Sequence, residues 1–261
     1  MKLFLIFSIL FLQANAGLRF LLTNGKFSPA SISNLVLWLD GNDSNTINSG
    51  SPVNNDPVST WKDKSPSSRN ATQSTPAQQP TFKTSVINGK NALSFAGGTP
   101  GNYLALSSYF MVHNQAFDFF FLINPSSVTG EHFYYNDLTN SGTPPAFSLV
   151  SSALKFYNGN AWATGSYTTT QSINTTYLIE FNYNGSGDTT TTNFATNKNG
   201  SSISRTSVAN GNGSPSTTAI GGDILDPGFA GYIGEVIFYS KLLSSAERTL
   251  LQNYLQAKWN Y

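Results

Sequence analysis

"GYIGEVIFYSKLLSSAERTLLQNYLQAKW", residues 231–259, closes a chain that otherwise reads as short strands and turns. Its first part is β-branched and aromatic and reads as a strand. Ser244, followed three residues later by Glu247, is a capping box. The hydroxyl accepts the third helical amide and the carboxylate returns to the amide of the cap. Beyond it Leu250, Leu251, Tyr254, Leu255 and Trp259 recur at spacings of three and four, while Gln252, Gln256 and Lys258 lie elsewhere. Such an amphipathic helix needs an apolar surface to lie on. Only a few residues separate it from the strand, so that surface belongs to the β structure. The helix is expected to cover an edge or end of the sheets, where open backbone groups need protection.

Working back along the chain, strand-like segments recur between clusters of Gly, Asn, Pro and Ser. They include "NLVLWLD" (34–40), "NALSFAG" (91–97), "NYLALS" (102–107), "FSLVSS" (147–152), "ALKFYN" (153–158) and "YLIEFNYN" (177–184). "NGSGD" (184–188), "NKNG" (197–200) and "NGNGSP" (210–215) are turns, in which Gly and Asn accept positive φ at little cost. "FDFFFLIN" (117–124) is apolar almost without a break except for Asp118. It predicts a strand buried on both faces in the middle of a sheet. No repeat of 20 to 50 residues is visible.

Residues 1–16 carry Lys2, an apolar run from Leu3 to Leu12 and the small-residue site Ala14-Asn15-Ala16. That order is the pattern of a secretory signal peptide, and the run is about half the length a membrane span needs. A secreted product without a membrane segment is expected, with residues 17–33 an irregular lead-in to a domain over 34–261. Removal of Lys2 leaves 13 of the 14 basic residues against 13 acidic ones. A neutral chain with few charges lacks the Lys/Arg clusters that nucleic-acid binding requires. There is no Cys, so neither disulfides nor thiolate metal sites form. Six Asn-x-Ser/Thr sequons, at Asn42, Asn70, Asn174, Asn184, Asn199 and Asn212, are glycan acceptors only in a eukaryotic secretory pathway.

Several motifs in order carry a family resemblance. "LVLWLDGND" is followed by "VSTWKDKSPSSRNATQ", "QPTF", "INGKNALSFAGG", "NYLALS" and "FFFLINPSS", and the chain closes with the strand, Leu-Ser turn and helix quoted above. Over roughly residues 34–261 it resembles the laminin-G-like domains of the concanavalin A-like lectin/glucanase superfamily. The resemblance implies an all-β fold, a jelly-roll sandwich of two antiparallel sheets with a short C-terminal helix. It also implies that Trp38 and Trp61 are core anchors, with Asp40 and Asp63 at strand ends or turns. Residues 130–215 depart most from the pattern.

Retaining glucanases of that superfamily place their acids as Glu-x-Asp-x-x-Glu on one strand. The four Glu residues here, at 131, 180, 235 and 247, open no such motif. His113 and His132 have no partner pattern, and no Gly-x-Ser-x-Gly elbow is present. An enzymatic role is therefore not expected, and Glu235 reads as structural. Several laminin-G-like domains hold calcium at a rim, so Ca2+ is the ion the resemblance implies. Its oxygen donors would come from "DGND" (40–43), "YYNDL" (134–138) or "GGDILDPG" (221–228), with Asp223 and Asp226 the pair to test; turn-making is the alternative role for each cluster.

Sugar binding asks for an aromatic ring to lie against pyranose CH groups beside amides or carboxylates for the hydroxyls. "KFYNGNAWATGSY" (155–167) offers Tyr157, Asn158, Asn160, Trp162 and Tyr167, and "EHFYYND" (131–137) offers Tyr134, Tyr135 and Asp137. Core and cross-strand packing is the competing role for these aromatics. The expected function is a secreted, non-catalytic module that binds carbohydrate or surface glycan. The alternative is a structural or adhesive protein of a cell or virion surface with a protein partner. A glycan hydrolase or lyase ranks last.

Overall fold

The computed structural model describes residues 27–107, 110, 115–128, 131–135, 145–150, 153–158, 171–185, 194–203, 218–222 and 228–261. The signal-like segment 1–16 lies outside them.

Two antiparallel sheets face each other. At the centre of the first runs β15 (Gly228–Tyr239), the long strand of the closing motif. One of its edges pairs with β7 (Phe117–Pro125), then β11 (Tyr177–Tyr183), β12 (Phe194–Lys198) and β13 (Ser201–Ile203). Its other edge is shared: the second half pairs with β1 (Leu35–Asp40) and the first half with β5 (Lys90–Gly98), which carries β4 (Thr81–Ile87) outside it. The second sheet has the order β2 (Thr60–Trp61), β3 (Ala71–Thr72), β6 (Leu104–Leu106), β14 (Thr218–Ile220), β8 (Glu131–Tyr135), β9 (Pro145–Val150), β10 (Ala153–Asn158). Among the described residues one parallel bridge, Gly228 to His132, joins the two sheets.

Strand alternation divides the apolar residues between two layers. In β7, Phe117, Phe119, Phe121 and Ile123 point between the sheets, where they meet Trp61, Phe95, Leu104, Ile220 and Phe238. Phe120 and Leu122 point the other way and meet Leu251, Leu255 and Trp259 of α1 (Ser245–Trp259). The unbroken apolar run of β7 follows from this: one face packs in the sandwich and the other under the helix. The helix thus covers the broad outer face of the first sheet, rather than an edge or end. Phe120, Leu122, Ile237 and Tyr239 make that face apolar, and burial of the three helix side chains there contributes on the order of 5–9 kcal/mol.

Both ends of α1 are fixed as their residues require. The capping box forms, with the Ser244 hydroxyl accepting from the Glu247 amide and the Glu247 carboxylate accepting from the Ser244 amide at 2.9 Å. At the other end Asn260 adopts the left-handed conformation, and Asn88 Nδ2 donates to the carbonyls of Trp259 and Asn260. Gly234 lets the two layers close: a Cβ there would lie 2.8 Å from both the Trp259 ring and Leu122 Cδ2. The end of the lead-in also packs here, with Ile32 buried in the helix layer and the Tyr239 hydroxyl donating to the Pro29 carbonyl at 2.9 Å.

Candidate functional site

Two groups of buried charges sit between the first sheet and α1. Asp40 and Glu235 are cross-strand partners on β1 and β15. Glu235 accepts four hydrogen bonds: Trp38 Nε1 at 2.7 Å, Trp259 Nε1 at 2.6 Å, the Tyr254 hydroxyl at 3.0 Å and Lys258 Nζ at 2.8 Å. Burial and the neighbouring Asp40 push its pKa up, against the pull of Lys258 and Trp259. Lys258 also donates to Asp40, at 2.7 Å, and Lys64 reaches Asp40 and Asp43 at 3.0 and 2.8 Å. The carboxylates of the 40–43 segment, considered above as cation ligands, are therefore filled by lysine ammonium groups. Glu235 is structural, as expected from the sequence, because it ties both indoles and the helix to β15.

The second group is Asp118 on β7 and Glu180 on β11, which share Arg248 of α1. Asp118 Oδ2 also accepts from the Leu243 amide at 2.7 Å, which fixes the turn into the helix. Desolvation, then the Glu180 charge, raises the Asp118 pKa to about 8 although Arg248 opposes the shift. Asp40, Glu235, Asp118 and Glu180 are all engaged in holding α1 to the sheet. Among the described residues no group of three His, Cys, Asp or Glu could hold a metal ion.

The second sheet presents a different surface. Trp61, Ala71, Leu104, Leu106 and Ile220 face the core, so the alternate positions lie on the outer face. The register aligns one row across five strands: Thr60, Thr72, Ala105, Ala219, Tyr135. One step from the Tyr134–Phe147 pair lies Ala146, whose partner across the next ladder is Tyr157. Leu154 of β10 is in the core. The fold thus brings strands β8 and β10, which carry the two sequence-predicted clusters, into one sheet with β9 between them. Tyr134 and Asn158 lie on these strands as well. Asp137, Asn160, Trp162, Tyr167, Asp223 and Asp226 lie outside the described residues.

At the far end of this face, over β2, β3 and β6, is a recess of about 390 Å³ lined by Ser59, Thr72, Gln73, Ser74, Tyr103 and Ala105. Its volume falls in the range of small-molecule sites, about 300–1,000 Å³. Its lining is hydroxyl- and amide-rich and carries no charge. Gln73 is 6% exposed; its Oε1 accepts from the Thr75 amide at 2.9 Å, and its Nε2 is buried with no hydrogen-bond partner. The wall is tied in place by Gln79 Nε2 to the Gln73 carbonyl at 2.8 Å, Asn102 Nδ2 to the Gln79 carbonyl at 2.9 Å and the Tyr103 amide to the Gln78 carbonyl at 3.1 Å. Sequence reasoning missed this recess. Its one signal is "QSTPAQQP" (73–80), amide-rich and bracketed by two prolines, which reads as an ordinary loop.

No family model matches the chain, and no curated protein does. Solved structures do. Domain 4 of AbnA, a GH43 extracellular arabinanase from Geobacillus stearothermophilus, in complex with arabinotriose, superposes with a TM-score of 0.58 at 14% identity, over 83% of this chain and 98% of that one. The binding domain of botulinum neurotoxin serotype D/C gives 0.53 at 15% identity. A botulinum neurotoxin type C structure, described for its dependence on two ganglioside molecules in cell entry, gives 0.54 at 15% identity. Both neurotoxin matches cover 88% of this chain, which spans about half (53%) of theirs. At these identities the likeness is one of fold, a β-sandwich.

Proposed function

We propose that the chain is a secreted, non-catalytic glycan-binding module of laminin-G-like type, and that it uses the outer face of the second sheet. The observation that carries this reading is the row Thr60, Thr72, Ala105, Ala219, Tyr135. It joins a polar, uncharged recess to strands bearing tyrosines that the sequence had marked for sugar contact. From β3 to β10 the sheet spans five inter-strand steps, about 24 Å, with Thr72 exposed on β3 and Ala219 buried on β14. Support also comes from two fold neighbours, one solved with arabinotriose and one described for its interaction with gangliosides. Export is proposed on the composition of residues 1–16.

Binding of the purified chain to an array of immobilised oligo- and polysaccharides, arabinan and ganglioside glycans among them, tests the reading. Binding that weakens in Tyr135→Ala, Tyr157→Ala and Trp162→Ala supports it. Binding to none of the array, or release of reducing sugar from a bound polysaccharide, overturns it.

A further inference from the structure

Asn-Gly recurs along this chain, and among the described residues two such pairs take the same turn. Asn88-Gly89 joins β4 to β5, with Ile87 paired to Lys90, and Asn199-Gly200 joins β12 to β13, with Lys198 paired to Ser201. All four residues have positive φ, 48° and 77° in the first turn and 51° and 78° in the second, the two-residue hairpin that Asn-Gly favours. Asn-Gly is also where an asparagine most readily loses its amide nitrogen, because glycine has no side chain to hinder attack by its backbone nitrogen. We propose that Asn88 is a deamidation site whose conversion uncaps α1, whereas conversion of Asn199 to aspartate leaves the fold intact.

The difference lies in which atom of each carboxamide holds the structure. Asn88 uses its nitrogen: Nδ2 donates to the carbonyls of Trp259 and Asn260 at 2.8 and 2.9 Å. These belong to the C-terminal end of α1, where backbone acceptors lack partners within the helix. Asn199 uses its oxygen, which accepts from the Leu178 amide at 2.9 Å.

In the reaction the Gly89 nitrogen attacks Cγ of Asn88. The proton of that nitrogen leaves with the side-chain NH2 as ammonia, and a five-membered succinimide remains. Water opens the ring at either carbonyl, giving aspartate or, with the main chain rerouted through Cγ, isoaspartate. Asn88 and Gly89 are exposed, and nothing lies within 4 Å of a Cβ built on Gly89, so the ring has room. The aspartate has lost both donated N–H bonds. It sets a carboxylate toward two carbonyl oxygens at the negative end of the helix dipole. The Lys258 ammonium is already held by Asp40 and Glu235, at 2.7 and 2.8 Å. At Asn199 the accepting oxygen survives conversion and, as a carboxylate, accepts more strongly.

The test incubates the full chain in mildly alkaline buffer and weighs its peptides for exchange of NH2 by OH. Asn88→Asp and Asn199→Asp supply the aspartate products without the rerouted main chain. Expected are conversion at both turns, a thermal midpoint lowered by roughly 3–8 °C in Asn88→Asp and a wild-type midpoint in Asn199→Asp. Hydrogen exchange over residues 256–261 should quicken in Asn88→Asp and not in Asn199→Asp. Retention of the Asn88 amide after Asn199 has converted would overturn the site. A wild-type midpoint in Asn88→Asp, as pairing of the new carboxylate with Lys90 would give, would overturn the uncapping.

Discussion

Arg248 of the closing helix reaches Asp118 at the start of β7, with Nη2 3.0 Å from Oδ2, while its Nε bonds Glu180 on the neighbouring strand. One guanidinium faces two buried carboxyl groups. Asp118 Oδ1 meets no donor, and a proton on this carboxyl can be given to the neighbouring Glu180.

With the Asp118 pKa raised to about 8 from an unfolded value near 3.8, the folded chain binds a proton that the unfolded chain releases. The stability this supplies is fully present below the unfolded pKa and is lost as pH rises through the folded one. Urea unfolding followed between pH 4 and 9 is expected to show stability declining toward pH 8. Asp118→Asn, which mimics the protonated form, should flatten that decline and leave the chain at least as stable as wild type at pH 8. A decline of the same slope in Asp118→Asn would assign it to other groups.

Glu235→Leu should destabilise the fold by about 3–5 kcal/mol, the usual result of removing one member of a buried pair. It strands two indole N–H groups, takes the acceptor of the Tyr254 hydroxyl and leaves Lys258 with Asp40 as its one carboxylate. The midpoint of chemical denaturation, with indole fluorescence as the signal, measures it.

Gly234→Ala should cost about 1–3 kcal/mol through overpacking. The added methyl meets the Trp259 ring and Leu122 at 2.8 Å, and β15 cannot retreat because it is paired on both edges. Thermal unfolding should show a lowered midpoint.

Asp40→Asn should lower the unfolding midpoint equally in calcium and in EDTA, because the charges it removes its own from are Lys64 and Lys258. A calcium-dependent rise in the midpoint of wild type that vanishes in Asp223→Asn or Asp226→Asn would place an ion at that pair instead.

The sandwich and its helix were legible because capping and periodicity are local. Ser244 and Glu247 announce the helix wherever it docks, and residues 117–124 announce a strand covered on both sides. What covers the second side was not legible, since an unbroken run of Phe and Leu does not separate its two faces. Hence the helix was expected at an edge, and Trp38 and Trp61 were read as equivalent anchors although Trp38 lies in the helix layer and Trp61 between the sheets. The recess escaped for another reason. Its strands β2 and β3 are two residues long, too short for alternation to show, and its wall is tied by Asn102 bonding Gln79, 23 residues earlier in the chain.

The central position of β15 has a kinetic consequence. Leu35 pairs with Tyr239, so the first strand of the domain waits for the last, about 200 residues later. At the usual 5–20 residues per second of synthesis, about 10–40 s pass before that partner exists. During that interval the Phe-rich strand β7 has neither β15 nor the helix to cover it. Folding of the first sheet therefore waits for residues 228–239, and a chain truncated before residue 228 is expected to aggregate rather than fold in part.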